Sequence, residues 1–266
     1  MDKFIDEERR VLRYDPSLRE EDLRAIVPSI EEAQSLIDED GQRYGGKYHI
    51  KIPSWREVIL AVDSSNANAR NLNFLLTTSY AVQARKMAYA EDTAAAQKEF
   101  PFTPCTVIGA PFTLDDKIIC GVRGGQASSG KVDIAGGYLN ANQRQGNPIF
   151  SNFRGELEEE LGILAEEVKT CSLIGHFSDG EFNTLCFIMR ANVDLESDEI
   201  IRRHKEAYEV YVEAKKEGIG EIRKAISEKG LNAIDAWEHH ALFTIPGDPA
   251  YWREIVKTGE VVHNGH

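Results

Sequence analysis

Two neighbouring stretches constrain this chain more than any others: Asp133-Ile134-Ala135-Gly136-Gly137, and the later run Gly155-Glu156-Leu157-Glu158-Glu159-Glu160-Leu161-Gly162-Ile163. They read as a strand, a double-glycine turn, a loop and then a helix. Asn147 suits an N-cap, Pro148 the first helical position and Gly162 the residue just past the end, so the spacing predicts a helix over 148–161. Ile149, Phe153, Leu157 and Leu161 recur every four residues and form its apolar stripe. Residues three and four apart project from one helix face, so Glu156, Glu159 and Glu160 share an arc while Glu158 points away. Glu160 falls beside the apolar stripe, near the packing seam. Carboxylates crowded in this way repel one another unless a cation sits among them, and an oxygen-seeking divalent ion such as Mg2+ is the natural candidate. A solvated acidic face is the alternative reading of the same run.

These residues resemble the signature box of the Nudix hydrolases, G-x5-E-x7-R-E-U-x-E-E-x-G-U, where U is a bulky aliphatic residue. Glu156, Leu157, Glu159, Glu160, Gly162 and Ile163 match its second half. Gly155 stands where the family has arginine, and Arg154 falls well away from the arc of Glu156 and Glu159. Asn152 lies nearer that arc but is neutral. From Gly137 to Gly155 is 18 residues, four longer than the pattern, and the box's first glutamate is absent: Gln143 or Asn147 stands there, depending on the count. Ala135 replaces the family's proline before the two glycines.

The resemblance implies an α/β fold, a Nudix-like α/β/α sandwich with a mixed β-sheet, and cleavage of a diphosphate linkage with Mg2+ or Mn2+. It implies Glu159 and Glu160 as direct metal ligands, Glu156 as a further ligand or orienter, and a backbone carbonyl of Gly136 or Ala135 beside them. Glu156 and Glu159 are thereby candidates for the catalytic machinery. A general base outside the box is expected at Glu238, with Glu181 as the competing position. Arg123 ends a strand leading into Gly124-Gly125, where a cation meets a phosphate or simply solvent. Tyr138 follows the double glycine, placed either to stack on a substrate ring or to pack in the core. Neighbouring His239 and His240 would face opposite sides of a strand and cannot chelate one ion together.

The rest of the chain sets the limits. Its 266 residues suffice for one large domain or a core with an appendage, and 42% hydrophobic with 28% charged residues is an ordinary globular balance. With 44 acidic against 31 basic side chains the formal charge is −13, which disfavours duplex nucleic acid as a partner. A small phosphorylated substrate remains compatible, because a bound metal reverses the local field. The first ten residues lack the apolar core of a signal peptide, and no apolar run reaches the roughly 18 residues of a membrane span. Cys105, Cys120, Cys171 and Cys186 form no paired motif, and three of them sit inside strand-like apolar runs, where a buried free thiol is expected. A cytoplasmic protein without membrane contact is expected.

Residues 1–100 read as a mostly helical N-terminal region serving as a cap or a dimerisation surface. Ser17-to-Glu20 and Ser29-to-Glu32 have capping-box spacing. A long helix is expected from about Asn68 to Lys98, with Thr77-Thr78-Ser79 as a possible interruption, whereas Val58–Val62 suits either a strand or a helix start. Residues 101–266 read as the Nudix-like domain. Hairpins are expected around Asp115-Asp116 and Ser178-Asp179-Gly180, with a helical insertion at about 196–232, a last strand at Ala241–Ile245 and a last helix at Tyr251–Lys257. Three function classes follow: a pyrophosphohydrolase acting on a small nucleoside-diphosphate-like compound, a Nudix-like module that binds a nucleotide or a protein, and a diphosphate isomerase. The last would need a positioned cysteine, and no feature marks Cys105 or Cys120 for that role.

Overall fold

The computed structural model describes residues 11–29, 31, 33–48, 50, 57–63, 71–124, 130–142, 146–179, 184–219 and 221–248. In chain order its elements are β1 (Val11–Leu18), β2 (Arg24–Ile26), α1 (Ala33–Lys47), β3 (Val58–Asp63), β4 (Asn71–Thr78), α2 (Ser79–Glu91), α3 (Thr93–Glu99), β5 (Phe102–Phe112), β6 (Lys117–Arg123), β7 (Val132–Asp133) and β8 (Gly136–Tyr138). There follow α4 (Pro148–Leu161), β9 (Val168–Asp179), β10 (Thr184–Val193), α5 (Ser197–Lys216), α6 (Ile222–Glu228) and β11 (His239–Pro246). The fold is α/β with a mixed sheet: β2 runs parallel to β4, while β3 pairs antiparallel with both β4 and β5.

The chain divides into two compact units. One comprises the described residues up to Val107 with Gly137–Asn152 and Ser172–Ile188. Its strands follow the order β1-β9-β10-β5-β3-β4-β2. Val58–Val62 is a strand, buried along its length because it is flanked on both edges. The expected long helix from Asn68 is corrected: β4 occupies Asn71–Thr78 and the helix starts at Ser79. Leu72 and Phe74 are buried while Leu75 is 41% exposed, an alternation of period two that suits a strand. Thr78 ends it and caps α2, its hydroxyl accepting the Ala81 N–H at 3.2 Å. Tyr44, Ala84, Ala88 and Phe100 form the cluster that holds α1 and α2 together.

Ser17-to-Glu20 is not a helix cap either. Ser17 lies in β1, and the Glu20 carboxylate instead accepts the Asn147 N–H at 2.8 Å. The Asn147 side chain in turn accepts the Ile149 N–H at 3.1 Å, which is the N-cap expected for α4. Asn152 is fully buried and binds both the N–H and the carbonyl of Asn140, at 2.7 and 3.1 Å, fixing the loop that precedes the helix.

The second unit comprises Ile108–Gly136, Phe153–Cys171 and the described residues from Met189 onward. β6 is its spine, pairing antiparallel with β5, β7 and β11. The hairpin around Asp115-Asp116 forms as expected, and so do the strands flanking the second turn, which lies in the first unit, although residues 180–183 lie outside the described residues. α5 and α6 fill the stretch expected for the helical insertion, and β11 is the last expected strand. The helix expected at 251–257 lies outside the described residues. α4 spans Pro148–Leu161, as its caps predict, with all four stripe residues buried. Gly162 ends it in a left-handed conformation (φ 71°) that costs glycine nothing. Among the described residues, no helix is long and apolar enough to cross a membrane.

Candidate metal centre

One face of β7, β6 and β11 is built around a missing side chain. Register places Asp133 opposite Gly121, and His239 opposite Arg123. Side chains of one face recur every second residue, so Gly121 leaves a gap between Asp133 and His239. The His239 ring fills that gap: a Cβ on Gly121 would come within 2.2 Å of its Nδ1. A register shift between His239 and Ala241 re-aims the start of β11 at this point.

Glu160 of α4 meets this face. Its side chain is 3% exposed, and its Oε2 lies 3.0 Å from His239 Nε2. A backbone hydrogen bond from Gly136 also reaches the Glu160 carboxylate, and Glu156, one turn earlier, shares a side-chain hydrogen bond with it. Burial first, then repulsion from Glu160, Glu159 and Glu238, pushes the Glu156 carboxyl well above the usual carboxylate range. Burial, reinforced by Glu238 and Asp133, raises Glu160 as well, against the bond from Gly136. Two carboxyl groups in such contact share a proton when no other cation is present.

Arg123 projects from the end of β6 and binds Asp133, with Glu238 at 3.6 Å on its other side. Its side chain remains 38% exposed. Glu238 sits in the short turn Ala236–Glu238, where burial raises its carboxyl and Arg123 partly offsets the shift. This turn is firmly held. The Asp235 N–H donates to the Glu159 carbonyl at 2.8 Å, and the buried Asp235 carboxylate accepts from Arg223 Nε at 2.7 Å and Trp237 Nε1 at 3.1 Å. Gly124 donates its N–H to the Glu238 carbonyl at 2.7 Å, and a Cβ there would lie 2.6 Å from the Trp237 carbonyl. The buried His204 of α5 binds the Ala236 carbonyl from behind, and burial lowers its ring to about pKa 4, which keeps it neutral.

The structure therefore brings together Glu156, Glu160, Gly136, Arg123 and Glu238, with Glu159 close enough for its charge to act on Glu156. Tyr138 belongs to the other unit, where Lys86 Nζ lies 5.4 Å from its ring centre. Glu181 lies outside the described residues. Two participants carried no assigned role in the sequence reading. Asp133 belongs to the quoted glycine-turn motif, but a strand acid gives no sign of its partner. His239 is 79 residues from Glu160, and no spacing rule links a strand to a helix across that distance. His239 is buried and His240 exposed, as adjacent strand positions require.

Among the described residues, no three His, Cys, Asp or Glu side chains stand ready-made in metal-coordinating geometry. The charge balance nevertheless fits a divalent cation. In the described contacts, Asp133 and Glu238 pair with the Arg123 guanidinium, Glu160 lies against the His239 ring, which burial pushes down, and Glu156 and Glu159 add their charges beside Glu160. This excess of negative charge, with Glu160 buried and the other four carboxylates half-buried, is relieved either by protons, as the raised carboxyls of Glu156, Glu160 and Glu238 indicate, or by a metal ion. Cys105 and Cys120 offer no competing chemistry: burial pushes the first far up and the second to about 12.

No protein-family model matches the chain, and no curated protein matches it significantly. Several solved structures resemble part of it, among them two Nudix proteins. The Nudix domain of Shewanella oneidensis NrtR, solved with ADP-ribose, is 14% identical at a TM-score of 0.32; the match covers 41% of this chain and 71% of that one. A MutT/Nudix family protein from Enterococcus faecalis is 20% identical at a TM-score of 0.29, over 41% of this chain and 48% of that one.

Proposed function

We propose that this chain is a Nudix-type pyrophosphohydrolase that uses Mg2+ or Mn2+ to cleave a diphosphate linkage in a small nucleoside-diphosphate-like compound. The observation that carries this reading is the buried Glu160 carboxylate with Glu156 and Glu159 beside it on the helix whose sequence resembles the box, and with Asp133 and Glu238 acting on it from outside the helix. Glu160, Glu159 and Glu156 would hold the ion, together with the Gly136 carbonyl. When bound, the ion supplies Lewis acidity toward phosphate and water.

The protein's own groups do the rest. Glu238, whose carboxyl burial raises, serves as the general base, with Arg123 3.6 Å away. Arg123, whose side chain is 38% exposed, meets a substrate phosphate. Residues 1–100 act as a cap or homodimer surface for the domain at 101–266, which carries α5 and α6 as its helical insertion. The chain works in the cytoplasm on a small phosphorylated substrate, without duplex nucleic acid or membrane.

A second reading is favoured by one observation: the Glu160 carboxylate is already engaged by His239, Gly136 and Glu156. Its polar atoms have partners without an ion, as in a Nudix-like module that binds a nucleotide or a protein. Phosphate release from a panel of nucleoside diphosphate compounds, ADP-ribose included, with and without Mg2+, separates the two. Mg2+-dependent release supports the hydrolase. Binding of a panel member without turnover supports the module.

A further inference from the structure

We infer that His239 is the positioning residue for the Glu160 carboxylate, holding it from β11. The inference rests on the reading that Glu160 helps to hold a divalent ion. His239 Nε2 lies 3.0 Å from Glu160 Oε2, and both side chains are nearly closed to solvent, at 2% and 3% exposure. Water therefore does not compete for this contact, and the bond fixes one oxygen of the carboxylate.

The surroundings are shaped for the ring. Gly121 leaves the space beneath it, and a Cβ there would overlap Nδ1, Cγ and Cε1 at 2.2, 2.4 and 2.8 Å. Gly124 lets the preceding turn approach, and His204 anchors that turn through the Ala236 carbonyl at 3.2 Å. His239 Nδ1 is buried and has no hydrogen-bond partner among the described residues. A buried N–H without a partner is costlier than an acceptor left bare. The ring therefore carries its proton on Nε2 and donates it to Glu160, with the bare Nδ1 facing Gly121. Ligand carboxylates held by such a donor lose about 10–100-fold in metal affinity when the donor is removed.

The test uses the full chain, with Mn2+ as probe. Mn2+ affinity is measured by calorimetry for wild type, His239→Leu and His239→Gln, with folding of each checked by circular dichroism. The tautomer of His239 is read in the metal-free wild type and in Glu160→Gln by nitrogen-15 NMR. The expected result is an Nε2–H tautomer whose Nε2 shift moves in Glu160→Gln, about 10–100-fold weaker Mn2+ binding in His239→Leu, and recovery to within a few-fold in His239→Gln, whose amide again offers a donor. An Nδ1–H tautomer, or a folded His239→Leu that binds Mn2+ like wild type, overturns the inference and leaves the metal reading standing. If wild type binds no Mn2+ while the tautomer and its response to Glu160→Gln are as expected, the metal reading fails and the positioning bond stands. Should His239→Leu not fold, His239→Gln and the NMR measurement still decide.

Discussion

The Asp235 N–H donates to the Glu159 carbonyl at 2.8 Å, so the acidic helix and the turn carrying Glu238 share a main-chain bond. The Asp235 side chain reinforces it from the same residue, gathering Arg223 and Trp237 while only 4% exposed itself. The buried Asp235 carboxylate is thus one of the groups that fix the turn carrying Glu238 and leading into His239.

Replacing that carboxylate should loosen the turn without dismantling the unit. Asp235→Ala is expected to cost about 1–3 kcal/mol, the usual range for losing buried hydrogen bonds to a charged group. Urea unfolding measures the loss, and hydrogen exchange at 236–240 should rise more than in α5. A variant as stable and as protected as wild type would show that Asp235 does not hold the turn.

Glycine substitutions should divide by location. Gly121→Ala and Gly109→Ala place a Cβ 2.2 Å from His239 Nδ1 and 2.5 Å from Phe153 Cζ, and each should destabilise by about 1–3 kcal/mol. Gly45→Ala and Gly46→Ala lie in α1 with nothing within 4 Å, and each should stabilise by about 0.5–1 kcal/mol through helix propensity. Thermal melts of the four variants provide the check, and a uniform effect would contradict the division.

Asp115 should make stability sensitive to acid. Burial opposes its charge, but bonds from Lys117, Thr113 and Ser197 outweigh burial and hold its carboxyl well below the usual range. It accepts the Ser197 N–H at 3.0 Å and the Ser197 hydroxyl at 2.7 Å, so it caps α5 from the β5–β6 hairpin. With the folded value depressed, its contribution is complete above the unfolded value of about 3.9 and is lost as pH falls through the folded one. Asp115→Asn should therefore lower stability by about 1–3 kcal/mol at pH 7, with the gap to wild type closing below about pH 4. Urea unfolding across that range checks it; a gap that does not change with pH would be the contrary result.

Much of this architecture is legible in the sequence because local signals agree. In α4, the Asn147 cap, the apolar stripe and the Gly162 stop all point to the same helix, and the arc they define places Glu156 beside Glu160. The two hairpins are announced by apolar runs around acidic or glycine turns. β4 was hidden because Asn71–Thr78 lacks glycine and proline and is rich in leucine, so its period-two burial is masked by composition. The contacts of Glu160 with His239, and of Arg123 with Asp133 and Glu238, were not legible. They arise from strand register and from the gap at Gly121, which only the paired strands reveal.

The most direct test is a Mn2+ titration of four proteins: wild type, Glu160→Gln, Glu159→Gln and Glu158→Gln. Each change removes one negative charge while keeping size and helix propensity, so the comparison isolates where on α4 the charge sits. If the acids hold a metal, Glu160→Gln and Glu159→Gln lose Mn2+ binding and the stabilisation that Mn2+ gives the folded state. Glu158→Gln should then stay within about 0.5 kcal/mol of wild type, as surface substitutions away from a site do. Equal and negligible effects from all three changes would mean that the acidic helix holds no metal, and the hydrolase reading would fall with it.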